Sequence, residues 1–192
     1  MGSILGSIFT GLALGVIEGL TKVYYPEASN TVVFVIMNDA ALQTRAREIV
    51  VDEVFPHAPE TIWKTLTSGE LMARWLGMVP SDFVPVAGNR FTYQTTPAGE
   101  WDGTIHCQVL EVIPNERFAY SWKGGHEGNA GYGSLLDTVV TYTLEAAEGG
   151  TRLHVVHSGF VLPRNDTAYR NMSNGWSTVI SRIAAVTGEQ EQ

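Results

Sequence analysis

The chain has a single cysteine, Cys107. That excludes an internal disulfide framework and fits a reducing compartment, so the expected location is the cytoplasm. Basic residues are scarce as well: 12 Lys and Arg stand against 20 Asp and Glu, for a net charge of −8. They are scattered and form no stripe. Phosphate neutralisation therefore has no footing, and nucleic acid is excluded as a partner. Long apolar runs are missing too. The uncharged stretch Ile4–Ile17 falls short of the roughly 20 residues a membrane-spanning helix needs, and Glu18 follows it. No basic residue precedes Lys22, so the positive start of a secretory signal is absent. A membrane is accordingly disfavoured as a partner.

What is present is apolar and aromatic. Hydrophobic residues make up 44% of 192 residues, enough for one domain with a sizeable core and an appendage. The appendage is residues 1–42, an N-terminal extension of open status. Its glycines include small-xxx-small spacings, Gly2/Gly6, Gly11/Gly15 and Gly15/Gly19, which pair helices only in lipid. A mis-assigned start, a partner-binding helix and a membrane anchor all remain open readings of it. Thr31–Met37 within it reads as a short strand.

Residues 43–187 read as the folded domain and 188–192 as a tail. Arg45–Phe55 is the first expected strand. Pro59 suits the first position of a helix, and Glu60–Leu66 and Glu70–Leu76 read as two short helices split by Thr67-Ser68-Gly69. Expected strands follow at Asp82–Val86, Arg90–Thr95, Trp101–Val112, Arg117–Lys123, Ser134–Glu145 and Thr151–Phe160, joined by turn-forming residues. Leu153, Val155 and His157 alternate on one face of the last strand. Tyr169, Met172, Trp176, Val179, Ile180 and Ile183 then recur at helical spacing, as a long C-terminal helix with one apolar stripe requires. Asn165 or Asp166 fits its start and Gly188 its end. The sum is an α+β fold: a curved antiparallel sheet of about seven strands, two short helices, and one long helix across the sheet, around a cavity.

Gly124–Gly133 is dense in glycine. A phosphate-cradling loop would need a helix after it and a Gly-Lys-Ser/Thr step, and neither is present. It reads as a mobile hairpin loop at a pocket.

The residues that carry chemistry are few. His157 points inward and is the candidate acid/base or polar ligand contact, or else a core histidine bonded to the backbone. His154 lies three residues away on the same strand and faces the other side, as His106 does from Cys107. No set of converging metal ligands can be assembled, so no metal and no cofactor is expected. Cys107 reads as packing. Asp52 and Glu53 are candidates for an acid at the cavity, with the alternation unable to say which is inward. The expected pocket lining is Trp63, Trp75, Phe91, Tyr93, Trp101, Tyr120, Trp122, Tyr142, His157, Phe160, Trp176 and Ile180. Rings with polar tips (Tyr93, Tyr120, Trp122) lead that set, since their donors want partners.

Several segments, in order, carry a resemblance. They are Val54-Phe55-Pro56-His57-Ala58-Pro59-Glu60-Thr61-Ile62-Trp63, Leu66-Thr67, Ala73-Arg74-Trp75 and Gly88-Asn89-Arg90-Phe91. Then come Val109-Leu110-Glu111-Val112-Ile113-Pro114-Asn115-Glu116-Arg117-Phe118, Tyr120-Ser121-Trp122, Thr151-Arg152-Leu153, His157-Ser158-Gly159-Phe160 and Gly175-Trp176. Together they make residues 45–186 resemble the C-terminal-domain family of activators of heat-shock protein 90 ATPase homologues, within the START / Bet v 1-like (SRPBCC) superfamily. The resemblance implies the helix-grip fold and a hydrophobic cavity. It leaves function among three classes: ligand binding, polyketide cyclase- or hydrolase-like catalysis through His157, and co-chaperone-like protein interaction. The expectation is a binding domain for a small hydrophobic or aromatic molecule, as a monomer or homodimer, because no acid/base pair is evident. The co-chaperone role ranks last, since no chaperone-binding domain precedes this one.

Overall fold

A computed structural model describes residues 46–191. The expected strand Thr31–Met37 and the boundary at residue 43 lie outside them. Ala46–Gln192 forms one compact unit.

Six strands form one antiparallel sheet: β1 (Arg47–Phe55), β2 (Arg90–Gln94), β3 (Thr104–Ile113), β4 (Arg117–Gly124), β5 (Leu136–Ala147) and β6 (Gly150–Phe160). Their order is β1-β6-β5-β4-β3-β2, a meander whose last strand closes against the first. Between β1 and β2 lie α1 (Pro59–Thr67) and α2 (Gly69–Leu76), and after β6 comes α3 (Asp166–Gly188). α1 begins at Pro59, whose missing N–H costs nothing there. Ser68, in an extended conformation, separates the two helices, and Gly77 in the left-handed region ends the second.

One of the seven expected strands, Asp82–Val86, is a loop. Ser81 and Thr92 exchange one pair of backbone bonds, and the ladder stops there. Asp82 has a φ of 63°, and Pro85 has no N–H to donate. Asn89 holds the loop instead: its Oδ1 accepts from Val84 N and its Nδ2 donates to Asp82 O. Phe83 turns inward, with its ring 5.0 Å from that of Phe91. Trp101 likewise precedes β3 rather than opening it. Gly103, at φ 86°, passes so close to Thr95 O that a Cβ would lie 2.3 Å from it, so the chain turns here before pairing.

Alternation places Phe91, Tyr93, Ile105, Cys107, Phe118, Tyr120, Trp122, Val140, Tyr142, Leu153, Val155 and His157 on the inner face. One departure shapes the far end of β6. Gly159, at φ 102°, is an extra residue, flanked by the pairings Glu48–Ser158 and Arg47–Phe160. The bulge resets the pleat, so His157 and Phe160 both face inward, ring centroids 4.8 Å apart.

Helix α3 lies on this face. Trp176, Ile180, Ile183 and Val186 are buried against it, and Thr187 Oγ1 donates to Thr65 Oγ1 of α1 at 3.2 Å. Asn165 precedes the helix without capping it through its side chain. It is committed elsewhere: its Oδ1 accepts from Val161 N, and its Nδ2 donates to Leu135 O. The expected tail continues as a 3-10 turn, Glu189–Glu191, in which Glu189 pairs with Arg74 of α2.

Candidate functional site

The inner face is filled unevenly. At the end nearest α1 and α2, Phe118 is fully buried among Trp63, Phe83, Tyr120 and Tyr142, and the core is solid. At the other end a cavity of about 310 Å³ lies between the sheet and α3. Ile105, Trp122, Leu136 and His157 form its floor, and Ala168, Met172, Gly175, Trp176 and Val179 of α3 its roof. Leu76 and Met78 close one side; Trp101 and the β4–β5 loop residues Tyr132, Gly133 and Ser134 close another. Its volume is near the lower limit, about 300 Å³, of ordinary small-molecule sites. Thr95 and Asn171 are the remaining polar side chains in a lining that, among the described residues, has no Asp, Glu, Lys or Arg.

The glycine-rich loop is tied down rather than hanging free. Asn129 Nδ2 donates to Ala98 O and Gly133 O, and its Oδ1 accepts from Glu100 N. Tyr132 Oη donates to Thr96 O, and Ser134 Oγ to Arg164 O. The glycines make room for Trp101: a Cβ at Gly124 would lie 3.1 Å from its ring, and one at Gly133 3.4 Å. The indole N–H donates to Thr104 O at 2.8 Å.

His157 lies at the centre of a directional chain of hydrogen bonds. Trp176 Nε1 can only donate, so His157 Nδ1, 3.3 Å away, accepts and carries no proton. Nε2 therefore holds the proton and donates to Thr138 Oγ1 at 2.9 Å. Thr138 Oγ1 in turn donates to Trp122 O at 3.0 Å. Four elements, α3, β6, β5 and β4, are linked in sequence. Burial pushes His157 down from its ordinary 6.5 to about 3, because nothing charged is at hand to compensate an imidazolium.

Of the residues expected in the lining, Trp101, Trp122, His157 and Trp176 surround the cavity together. The others sit around it. Tyr93, Tyr120 and Tyr142 lie one layer deeper, with the hydroxyls of Tyr120 and Tyr142 3.3 Å apart; burial pushes all three phenols up. Phe91 packs on Tyr93 and Tyr120. Phe160 backs His157, and Ile180 lies one turn past Trp176. Trp75 is buried with its N–H on Thr65 O, and Trp63 meets Phe118 edge-on. Met172 and Val179 belong to the helical stripe that the sequence displays. Leu76, Met78, Leu136, Tyr132 and Gly175 are lining residues that the expected set did not include.

Neither candidate acid reaches the cavity. Asp52 is on the outer face, bidentate to Arg152 (2.7 and 2.6 Å) and 3.0 Å from His154 Nδ1. The hydrogen bonds from Arg152 and then His154 hold its carboxyl down at about 2. Glu53 is exposed on the edge strand β1. Cys107 is buried, and burial pushes its thiol up to about 12. Among the described residues, no three His, Cys, Asp or Glu side chains are grouped to hold a metal ion.

Comparison with solved structures places this geometry among relatives. Protein MLL2253 from Mesorhizobium loti is 33% identical, with a TM-score of 0.64 over 74% of this chain and 98% of its own. BH1534 from Bacillus halodurans is 21% identical, with a TM-score of 0.58 over 75% and 99%. CalU16 from Micromonospora echinospora is 18% identical, with a TM-score of 0.56 over 76% and 79%. Among curated proteins none matches the sequence. Residues 56–188 match the family described as Activator of Hsp90 ATPase homolog 1-like protein, a helix-grip family of ligand-binding type. With the match spanning α1 through α3 and every strand but β1, the chain belongs to the Activator of Hsp90 ATPase homolog 1-like family.

Proposed function

We propose that this domain binds a small, uncharged, largely apolar molecule in the cavity between the sheet and α3, and that it acts in the cytoplasm as a carrier or receptor. The observation that carries the reading is the lining: tryptophan, methionine and aliphatic side chains around about 310 Å³, with no formally charged group among the described residues. An apolar ligand gains by leaving water for such a space, whereas a charged one loses hydration that the walls do not replace.

Catalysis through His157 is disfavoured by its bonding. A general base needs a free lone pair, and the Trp176 indole occupies Nδ1. A general acid needs a proton to give, and the Nε2 proton is directed at Thr138. His157 is assigned a structural role, orienting Trp176 over the cavity.

Native mass spectrometry of the full-length protein tests the reading, followed by titration of the ligand-free protein with neutral apolar compounds. The expected result is a small-molecule complex in the wild type that Leu136→Trp, which fills the floor, does not form. Equal binding by Leu136→Trp and wild type would refute the assignment to this cavity.

A further inference from the structure

Gly175 has no conformational or packing reason to be glycine. It sits in the interior of α3, outside the left-handed region, and a Cβ built on it meets no heavy atom of the described residues within 4 Å. Glycine inside a helix lowers stability relative to alanine through backbone entropy. The other helical glycines differ: Gly69 faces Phe83 and Pro80, and Gly188 faces His57. The open space beside Gly175 is the cavity, of which it is a lining residue. One helical turn on either side, Met172 and Val179 narrow the same roof, and Trp176 follows directly.

We propose that Gly175 determines which ligands enter: an uncharged molecule of two or three aromatic rings lies against the bare α3 backbone there, between the indoles of Trp101, Trp122 and Trp176. The inference rests on the ligand-binding reading and adds the ligand's chemical class and the residue that sets its breadth. Size follows from volume. An apolar cavity of about 150 Å³ takes a single benzene ring, and this one has about 310 Å³. Neutrality follows from walls that, among the described residues, hold no charged side chain to pair with an ionised group.

Two dyes that share a naphthylamine scaffold provide the test. N-phenyl-1-naphthylamine is neutral; 8-anilino-1-naphthalenesulfonate adds a sulfonate to the same rings. Fluorescence titration of the full chain should show the neutral dye binding at least tenfold more tightly. Gly175→Ala should raise the melting temperature by a few degrees, as helix propensity dictates, while weakening the neutral dye severalfold. Gly175→Leu should abolish its binding. Equal affinity for the two dyes would overturn the neutral class. Neutral-dye binding that both variants leave unchanged would overturn the role of Gly175 alone. Failure of both dyes to bind, with native spectra bare of ligand, would remove the ligand-binding reading and this inference with it. The alanine variant keeps the test decisive if leucine prevents folding.

Discussion

The indole N–H of Trp176 donates to Nδ1 of His157 across 3.3 Å, joining the middle of α3 to the end of β6. This contact fixes the imidazole tautomer, and through Thr138 it reaches the β4 backbone at Trp122. Both tryptophans so connected line the cavity. The contact therefore ties a roof residue to a floor residue as well as fixing the state of the histidine.

Trp176→Phe keeps a ring over the cavity and deletes the donor. His157 Nδ1 then has a free lone pair, and its protonation point should rise from about 3. An NMR titration of the His157 ring protons checks this. Loss of the hydrogen bond should cost about 1 kcal/mol in denaturant unfolding. An unmoved titration would show that burial alone governs His157.

Acid stability should carry the signature of His157. Its pKa is lowered on folding, so below about 6.5 an unfolded chain holds a proton that the native state refuses. Stability therefore falls as pH drops from about 6.5 toward 3, at on the order of 1.4 kcal/mol per pH unit at most. Above that window the group contributes no slope. His157→Gln replaces acceptor and donor without a titrating group. Its unfolding free energy should be flatter between about pH 6 and 4, a range above that in which Asp52 takes up its proton. An unchanged slope would assign the acid sensitivity to other groups.

Gly159→Ala tests the bulge that turns Phe160 inward. At φ 102° an alanine is strained, and its Cβ would sit 2.9 Å from Asp137 O. The expected loss is on the order of 1–3 kcal/mol, read as a lower denaturation midpoint. A wild-type midpoint would show that β6 can pair with β1 without the bulge.

Asp52→Asn should leave ligand binding unchanged, because Asp52 and its partners Arg152 and His154 are on the outer face. Wild-type Asp52 stabilises the fold above its ordinary carboxylate range, and that contribution fades as pH falls from about 3.8 to 2. The variant should lose it at neutral pH, by an amount that shrinks with added salt, since the groups are exposed. Neutral-dye affinity altered by the substitution would place Asp52 in communication with the cavity.

Much of this architecture is legible in residue order. Alternation marked the inner faces of β2 through β6, including His157. Helical spacing marked the stripe of α3, and Pro59 with the Ser68-Gly69 step divided α1 from α2. These are local signals, since a pleat has period two and a helix period 3.6 whatever surrounds them. Asp82–Val86 shows the limit: its apolar content suits a strand, but backbone torsion at Asp82 and the missing donor of Pro85 end the ladder after one bridge.

The site is less legible. Ten aromatic rings sit on or near the inner face with similar local patterns, yet only Trp101, Trp122 and Trp176 among those proposed reach the cavity. Position along β4 separates Trp122 from Tyr120, while Trp101 comes from the turn before β3 and Trp176 from α3; Tyr93, Tyr120 and Tyr142 fill the layer beneath. That division depends on how α3 packs on the sheet, a matter of elements far apart in the chain. The same holds for the charge of His157. A histidine on an inward face can be base, ligand contact or clamp, and the sequence pattern is the same for each. The partners Trp176 and Thr138 lie 19 residues away on either side. They meet the imidazole only once the sheet has paired and the helix has docked, because hydrogen bonds are satisfied by geometry that local periodicity does not encode.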